Sequence, residues 1–447
     1  MMNIRNFINT CVIPIGSARR KSLVKVYQFV FKKDKTSLFD MNKPRKEKQE
    51  KSLTLNVSAL DVSVDNNQKK KVLIIPSWYP TSESPIVGSF FREQGHIMET
   101  EYDVKVLFGQ VRYNEIDSVE IIKNYPFAEP ETIAFFYTTS DRLEIENFDV
   151  MIHAYELILD KLISQGWKPD VIHAHSVFYG GIIAHHLGKK INIPTIITEH
   201  SVFLLHNYSK FIQNKIFEAL ENVNKVLAVS TDKMKFILMH NIKCDPVVIG
   251  NMVDCNLFAP AKITKNPNTY RILTVAGASY LKDLQTFLKS IKAMVDKGHH
   301  DIVATIVGNG VWGDENYEEY VKELGIEKFC RFVSTVERKD MPSFYNDCDV
   351  FVSTSIAEGF QVSILEAMAC GRPVVSTSHG GVEDIMCSDN GILLKIRDYN
   401  GIANAISDIK EGKIKFDSDK IRKIVNEKFG KEVFRNSISD IYKSVIN

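Results

Sequence analysis

A chain of 447 residues exceeds what one hydrophobic core usually holds, so two domains are expected. Its apolar (44%) and charged (25%) fractions are those of a soluble globular protein, and no run of about eighteen apolar residues exists, so nothing spans a bilayer by that criterion. The net charge of +1 is unevenly spread: residues 1–70 hold 15 Lys and Arg against 6 Asp and Glu, a net +9 that leaves −8 for the remainder. Seven cysteines, an odd number without a C-x-x-C pair, read as reduced, mostly structural thiols of a cytoplasmic protein.

The first 68 residues differ from everything after them. MMNIRNFINTCVIPIG is a poor signal peptide, its apolar run broken by Asn9, Thr10 and Pro14. ARRKSLVKVYQFVFKKDK then sets Leu23, Val24, Tyr27, Val30 and Phe31 among basic residues at roughly helical spacing. Two readings stand side by side: a helix lying on an anionic membrane surface, or a helix packed on the protein body or an untidy tail. From Asp40 to Gln68 large apolar residues are few, and the stretch reads as linker.

The first domain is expected over 69–262. KVLIIPSWYP is a buried strand running into a Pro-rich loop, and TSESPIVGSFFREQ turns at Gly88 into a helix near Phe90. Strand and helix signals then alternate through VKVLFGQ, FDVMIHAYELILDKLIS, DVIHAHS, GGIIAHHLGKKI, PTIITEHS, a helix over Lys210–Val223, KVLAVS and TDKMKFILMHN. Such alternation argues for a parallel, doubly wound sheet. His173 and His175 lie two apart on a strand and face one side, but no third ligand has metal-binding spacing. His200 ends the strand PTIITEH, where ligands approach such sheets.

The polar, proline-containing AKITKNPN marks a hinge, and a second alternation opens at RILTVAG, giving a domain over 263–428. Leu284, Phe287, Leu288, Ile291 and Val295 make one face of a helix, with Lys282 at its first turn, a poor place for a cation unless an anion is near. GNGVWG (Gly308, Gly310, Gly313) is formally G-x-G-x-x-G, but its helix starts only near Tyr317, so a dinucleotide site is not expected. Asp347-Cys348-Asp349 spells D-x-D, yet Asp349 opens a buried strand instead of ending one and reads as structural. Residues 429–447 are expected to form a final helix after a bend at Gly430.

The densest signal is DVFVSTSIAEGFQVSILEAMACGRPVVSTSHGGVEDI, Asp349 to Ile385. It reads as a βαβ unit: a buried strand, a turn at Gly359, a short helix ended at Gly371, and a second strand closed by Gly380 and Gly381. Glu358 sits at the first strand's tip. Glu366 lies within an otherwise apolar helix, where a charge must be partnered or reach a polar cleft.

The arrangement E-G-F-x5-E, followed by A-M-A-C-G-R-P-V-V and G-G, resembles the EX7E signature of glycosyltransferase family 4. The resemblance runs roughly from Lys71 to the end: W-Y-P…P…G-x-F at the start, T-x-H ending at His200, Asn251, Val253 and Asp254 at the join, where Gly250 and Met252 depart from it, and a V-G-x-G loop at Gly308. The resemblance implies an α/β GT-B fold, two Rossmann-like doubly wound domains facing a cleft, whose last helix crosses back to the first domain. It implies a retaining, metal-independent transferase that moves a sugar from a nucleotide diphosphate sugar, its donor substrate, to a hydroxyl of a glycan or lipid-linked acceptor. No cofactor and no nucleic acid are implied. The basic extension lies outside the resemblance; its own reading as a surface helix would add an anionic membrane surface, at the inner face, as a further partner. By the resemblance Glu366 takes the ribose, Glu358 the transferred sugar, and His200 faces that sugar. Lys282, the amides of Gly359, Phe360 and Gln361, and the loops at Gly88 and Gly308 meet the donor's diphosphate side. Many relatives have an arginine where this chain has Gly277, so diphosphate charge is less well compensated. A sugar-nucleotide epimerase and a catalytically silent sugar-nucleotide sensor are the alternatives.

Overall fold

A computed structural model describes residues 57, 60–61 and 69–446, except 83, 114–117, 126–127, 140–143, 203–204, 278, 309–310 and 313–314. The helix expected at residues 18–35 therefore lies outside the described residues, as do Gly310 and Gly313. Leu55–Asn447 forms one compact unit containing two large sheets and a two-stranded one.

The first sheet holds β1 (Lys71–Pro76), β2 (Asp103–Tyr113), β3 (Ser118–Lys123), β4 (Glu131–Thr139), β5 (Val171–His175), β6 (Thr195–Glu199), β7 (Lys225–Ala228) and β8 (Val247–Val248), in the order β3-β4-β2-β1-β5-β6-β7-β8. All its pairings are parallel except β3 with β4. The fully parallel sheet expected from the alternation is thus corrected at one edge. Seven residues join β3 to β4, too few for the crossover that a parallel neighbour needs.

The second sheet holds β9 (Tyr270–Val275), β10 (Ile302–Val307), β13 (Cys330–Val333), β14 (Val350–Ser353), β15 (Val374–Thr377) and β16 (Gly391–Leu394), all parallel, in the order β13-β10-β9-β14-β15-β16. A two-residue hairpin, β11 (Val311–Trp312) with β12 (Glu315–Asn316), lies between β10 and the helix Tyr317–Glu323. In each sheet the chain winds outward to one side and then restarts on the other, at β1/β5 and at β9/β14. Those reversals leave a crevice at the carboxyl ends of the strands, where open α/β sheets bind ligands.

β14 and β15 are buried along their whole length, and the helix between them, Val362–Ala369, buries Ile364, Leu365, Ala367 and Met368 against Phe351 and Val374. Helix Ser418–Phe429 packs on that core through Ile421, Val425 and Phe429. The chain then bends at Gly430, and helix Lys431–Val445 buries Phe434, Ile438 and Tyr442 against Val72, Ile74 and Val104 of the first sheet. Apolar positions 434, 438 and 442, four apart, form one stripe, and that stripe is what carries the C-terminus back across the join.

Candidate active site

The EGFQ turn after β14 is where the two halves meet. A Cβ at Gly359 would lie 2.0 Å from the carbonyl oxygen of His200, at the end of β6, so only glycine lets the two backbones approach this closely. The Gly359 carbonyl accepts from Ser230 Oγ at 3.0 Å, and a Cβ at Gly381 would come within 2.5 Å of the same oxygen. Asp384, three residues on, accepts from the Thr231 amide at 2.6 Å. Gly381 (φ +78°) thus closes the floor of the turn while the first sheet's loops close its roof.

Glu358 is held at this seam. Its Oε1 accepts from Lys282 Nζ at 2.6 Å and from Ser355 Oγ at 2.9 Å. The structure corrects the placement of Lys282. It belongs to a 3-10 turn, Tyr280–Lys282, ahead of helix Leu284–Asp296, whose N-cap is Asp283. Thr354 Oγ1 donates to the carbonyls of Lys282 and Asp283 and pins that turn against β14's end. The anion that a cation here requires is Glu358, 76 residues away in sequence.

Glu366 is buried and both its oxygens are engaged. Arg338 Nη1 donates to Oε1, and the Tyr345 hydroxyl donates to Oε2 at 2.7 Å. Arg338 Nε also lies 2.5 Å from Glu93 Oε1, on helix Ser89–Met98 beside the first sheet, so one guanidinium spans the crevice between two carboxylates. Burial raises the Glu93 carboxyl above its ordinary pKa. The charge in the apolar helix is therefore partnered within the protein. Each oxygen of a carboxylate offers two lone pairs, so Glu366 keeps capacity for a ligand's hydroxyls.

His200 is buried against Phe90 and Phe91, with ring centroids 5.4 and 4.8 Å away, at the helix entered through Gly88. Gly88 has φ +74°, and a Cβ there would meet the Trp78 carbonyl at 3.0 Å. His200 Nε2 shares a hydrogen bond with His175 Nδ1 at 3.0 Å, while its Nδ1 is buried without a partner. Burial drives its pKa well below the ordinary value, so the ring is neutral. Both ring nitrogens of His173 are engaged, by the Tyr442 and Thr198 hydroxyls at 2.7 Å each, so His173 offers a metal no free nitrogen. Among the described residues, no group of three or more His, Cys, Asp or Glu could hold a metal ion. Asp349 of the D-x-D string is held by Lys265 Nζ and the Arg271 amide at 2.8 Å each.

The other expected residues take quieter places. Phe360 is buried with its ring 5.6 Å from Phe429, and Gln361 Oε1 accepts from Ser353 Oγ at 2.7 Å. Their side chains brace the turn. What they and Val362 can direct at a ligand is backbone N–H, since the leading amides of helix Val362–Ala369, ahead of Ile364, have no intrahelical acceptor. Gly308 (φ +135°) lets the end of β10 touch the end of β9, where a Cβ would lie 2.6 Å from the Ala276 carbonyl. Sequence reasoning missed Arg338, Tyr345, Ser355 and His379. For the first three no local signal exists. His379 could have been found by the logic that picked out His200, since it too is an imidazole at the end of a buried strand.

Residues 126–257 match the family model described as Glycosyltransferase Family 4, and residues 257–427 match the model described as Glycosyl transferases group 1. The chain is 28% identical to one component of the human phosphatidylinositol N-acetylglucosaminyltransferase, over 54% of its own length and 51% of that protein. It is 27% identical to an uncharacterized glycosyltransferase of Methanocaldococcus jannaschii over 81% of its length and 93% of that protein. Against the Escherichia coli UDP-Gal:alpha-D-GlcNAc-diphosphoundecaprenol alpha-1,3-galactosyltransferase, identity is 24% over 63% and 76% of the two chains. Sucrose-phosphate synthase from Thermosynechococcus elongatus (TM-score 0.67, 18% identity, 84% of this chain and 99% of that one) has a similar fold. So does Anabaena HepE in complex with UDP (TM-score 0.63, 17% identity, 84% and 100%). With its two facing, largely parallel sheets and its returning C-terminal helix, the chain belongs to glycosyltransferase family 4 and has the GT-B fold.

Proposed function

We propose that the protein transfers a sugar from a UDP-linked donor to a hydroxyl of a glycan or lipid-linked acceptor, with retention at the anomeric carbon and without a divalent metal. The observation that carries this reading is the Lys282–Glu358 pair beside the amides of helix Val362–Ala369. It sets a cation, a carboxylate and a helix N-terminus at one crevice, the set needed by a charged diphosphate joined to a polyhydroxylated ring. UDP is favoured as the nucleotide because the E. coli relative is named for a UDP-galactose donor and HepE was solved with UDP.

In this reading Glu366 holds the ribose with its spare lone pairs and Glu358 holds hydroxyls of the transferred sugar. As the donor bond breaks, negative charge grows on the diphosphate, and Lys282 and the helix amides stabilise it without having to reorganise. His200 faces the sugar from the first sheet. The leaving phosphate takes the acceptor's proton on the face where the new bond forms. Incubating the protein with UDP-glucose, UDP-galactose or UDP-N-acetylglucosamine and an acceptor pool should give a glycoside and free UDP. A changed sugar nucleotide without glycoside would indicate an epimerase, and binding without turnover a sensor.

The acceptor side brings in the basic extension, which we propose lies on anionic lipid at the cytoplasmic face of the membrane. Among the described residues no helix is long and apolar enough to cross a membrane. Deleting residues 1–68 should leave a folded, active enzyme that no longer sediments with phosphatidylglycerol vesicles. Sedimentation equal to that of the full chain would refute the anchor, and loss of folding would favour a packed helix.

A further inference from the structure

We infer that His379 is an additional donor-binding residue, its Nε2 accepting a hydrogen bond from a hydroxyl of the transferred sugar; the inference rests on the donor reading above. His379 stands at the carboxyl end of β15, directly before Gly380 and Gly381, and is only 4% exposed. Its Nδ1 lies 2.9 Å from the Gly380 carbonyl oxygen. A carbonyl can only accept, so Nδ1 carries the proton and Nε2 presents a bare lone pair. That Nε2 is buried and has no partner. Burial keeps the ring's pKa below its ordinary value, with Lys282 acting in the same direction, although Glu358, the Gly380 carbonyl and Glu383 pull it up.

A buried acceptor left without a donor destabilises the protein, and a residue needed only for packing would not carry one. The position of this one points to its ligand. The His379 carbonyl accepts from the Glu358 amide at 3.2 Å, so the ring is tied to the backbone that carries the sugar-side carboxylate. On the other flank, the His200 carbonyl abuts Gly359, and His200 Nδ1 is the second buried imidazole nitrogen without a partner. Residues 358–359 thus have one unsatisfied imidazole on each side, one from each sheet. An ionised diphosphate has no hydrogen to give a bare nitrogen. A sugar's hydroxyls do, which selects the transferred ring over the phosphates as the partner of Nε2.

The test compares free UDP with UDP-glucose, UDP-galactose and UDP-N-acetylglucosamine by calorimetry, using the full chain and its His379→Leu and His379→Gln variants. His379→Leu should bind UDP within about twofold of the parent, yet bind the preferred UDP-sugar roughly tenfold more weakly, the size expected for one hydrogen bond. His379→Gln, which can place an acceptor near Nε2, should recover part of that loss. Equal weakening of UDP and UDP-sugar, or an unchanged preference for the UDP-sugar over UDP, would overturn the assignment. Should the leucine variant not fold, the glutamine variant with the 2-, 3-, 4- and 6-deoxy forms of the preferred sugar decides. The parent should lose about tenfold for one of these, and the variant should lose less for that same one; equal losses for every analogue overturn the assignment. A parent chain that binds no UDP-sugar contradicts the donor reading itself, and this inference with it.

Discussion

Lys282→Ala should lower turnover on the order of 10²-fold or more, while transfer by the parent enzyme persists in excess EDTA. The reason is electrostatic. Something must hold the charge that collects on the departing diphosphate, and the expected family arginine is absent, its place taken by Gly277. The structure puts Lys282 Nζ 2.6 Å from Glu358, at the mouth of the turn that exposes the helix amides. Replacing the lysine removes a fixed cation and leaves Glu358 with Ser355 as its remaining partner in that cluster. Of the two strings that spell a metal site, His173 is held by two hydroxyls and Asp349 by Lys265 and a backbone amide. Steady-state kinetics with and without EDTA check both halves. Activity that vanishes in EDTA and returns with Mn²⁺ would contradict the mechanism, and a Lys282→Ala enzyme with normal turnover would show that another group carries the charge.

Glu366→Ala should weaken binding of free UDP by roughly 10- to 100-fold for each charge-assisted hydrogen bond lost to the ribose, read by calorimetry. The same substitution also strips Arg338 of its partner on the second sheet's side and frees the Tyr345 hydroxyl, so a loss of stability should accompany it. Glu366→Gln separates the two effects. The amide can still accept from Tyr345 but no longer gives a charge-assisted bond to the ribose. Unchanged UDP affinity in both variants, with a lowered melting temperature, would make Glu366 a structural counter-ion for Arg338 and nothing more.

Much of this architecture is legible in the sequence because its signals are local. The strands VVST and VFVS, buried on both faces, announce themselves as apolar runs, and Gly371 (φ +73°) ends its helix in the left-handed conformation that glycine favours. The alternation of strand and helix is enough to anticipate two doubly wound sheets; that they face each other is implied only by the family resemblance. The antiparallel pairing of β3 with β4 is not legible in this way. Only seven residues separate the two strands, and the edge is set by that short connection instead of a hydrophobic period. The site's polar wiring is hidden for a different reason. Arg338 and Tyr345 reach Glu366 from 28 and 21 residues upstream, and Glu93 reaches Arg338 from the helix beside the other sheet, contacts that exist only once the chain has folded. The sequence marks Lys282 as needing an anion, but only the structure identifies that anion as Glu358.

The central claim is sugar transfer from a nucleotide donor within this crevice, without metal and with retained anomeric configuration. The most direct measurement is an NMR time course of the full chain in EDTA. It would use whichever of UDP-glucose, UDP-galactose and UDP-N-acetylglucosamine raises the melting temperature most, together with a pool of lipid-linked and free glycan acceptors. The account predicts that each UDP released is matched by one new glycoside bearing the donor's α configuration. A β-configured product, or UDP-sugar that stays intact while bound, would contradict it.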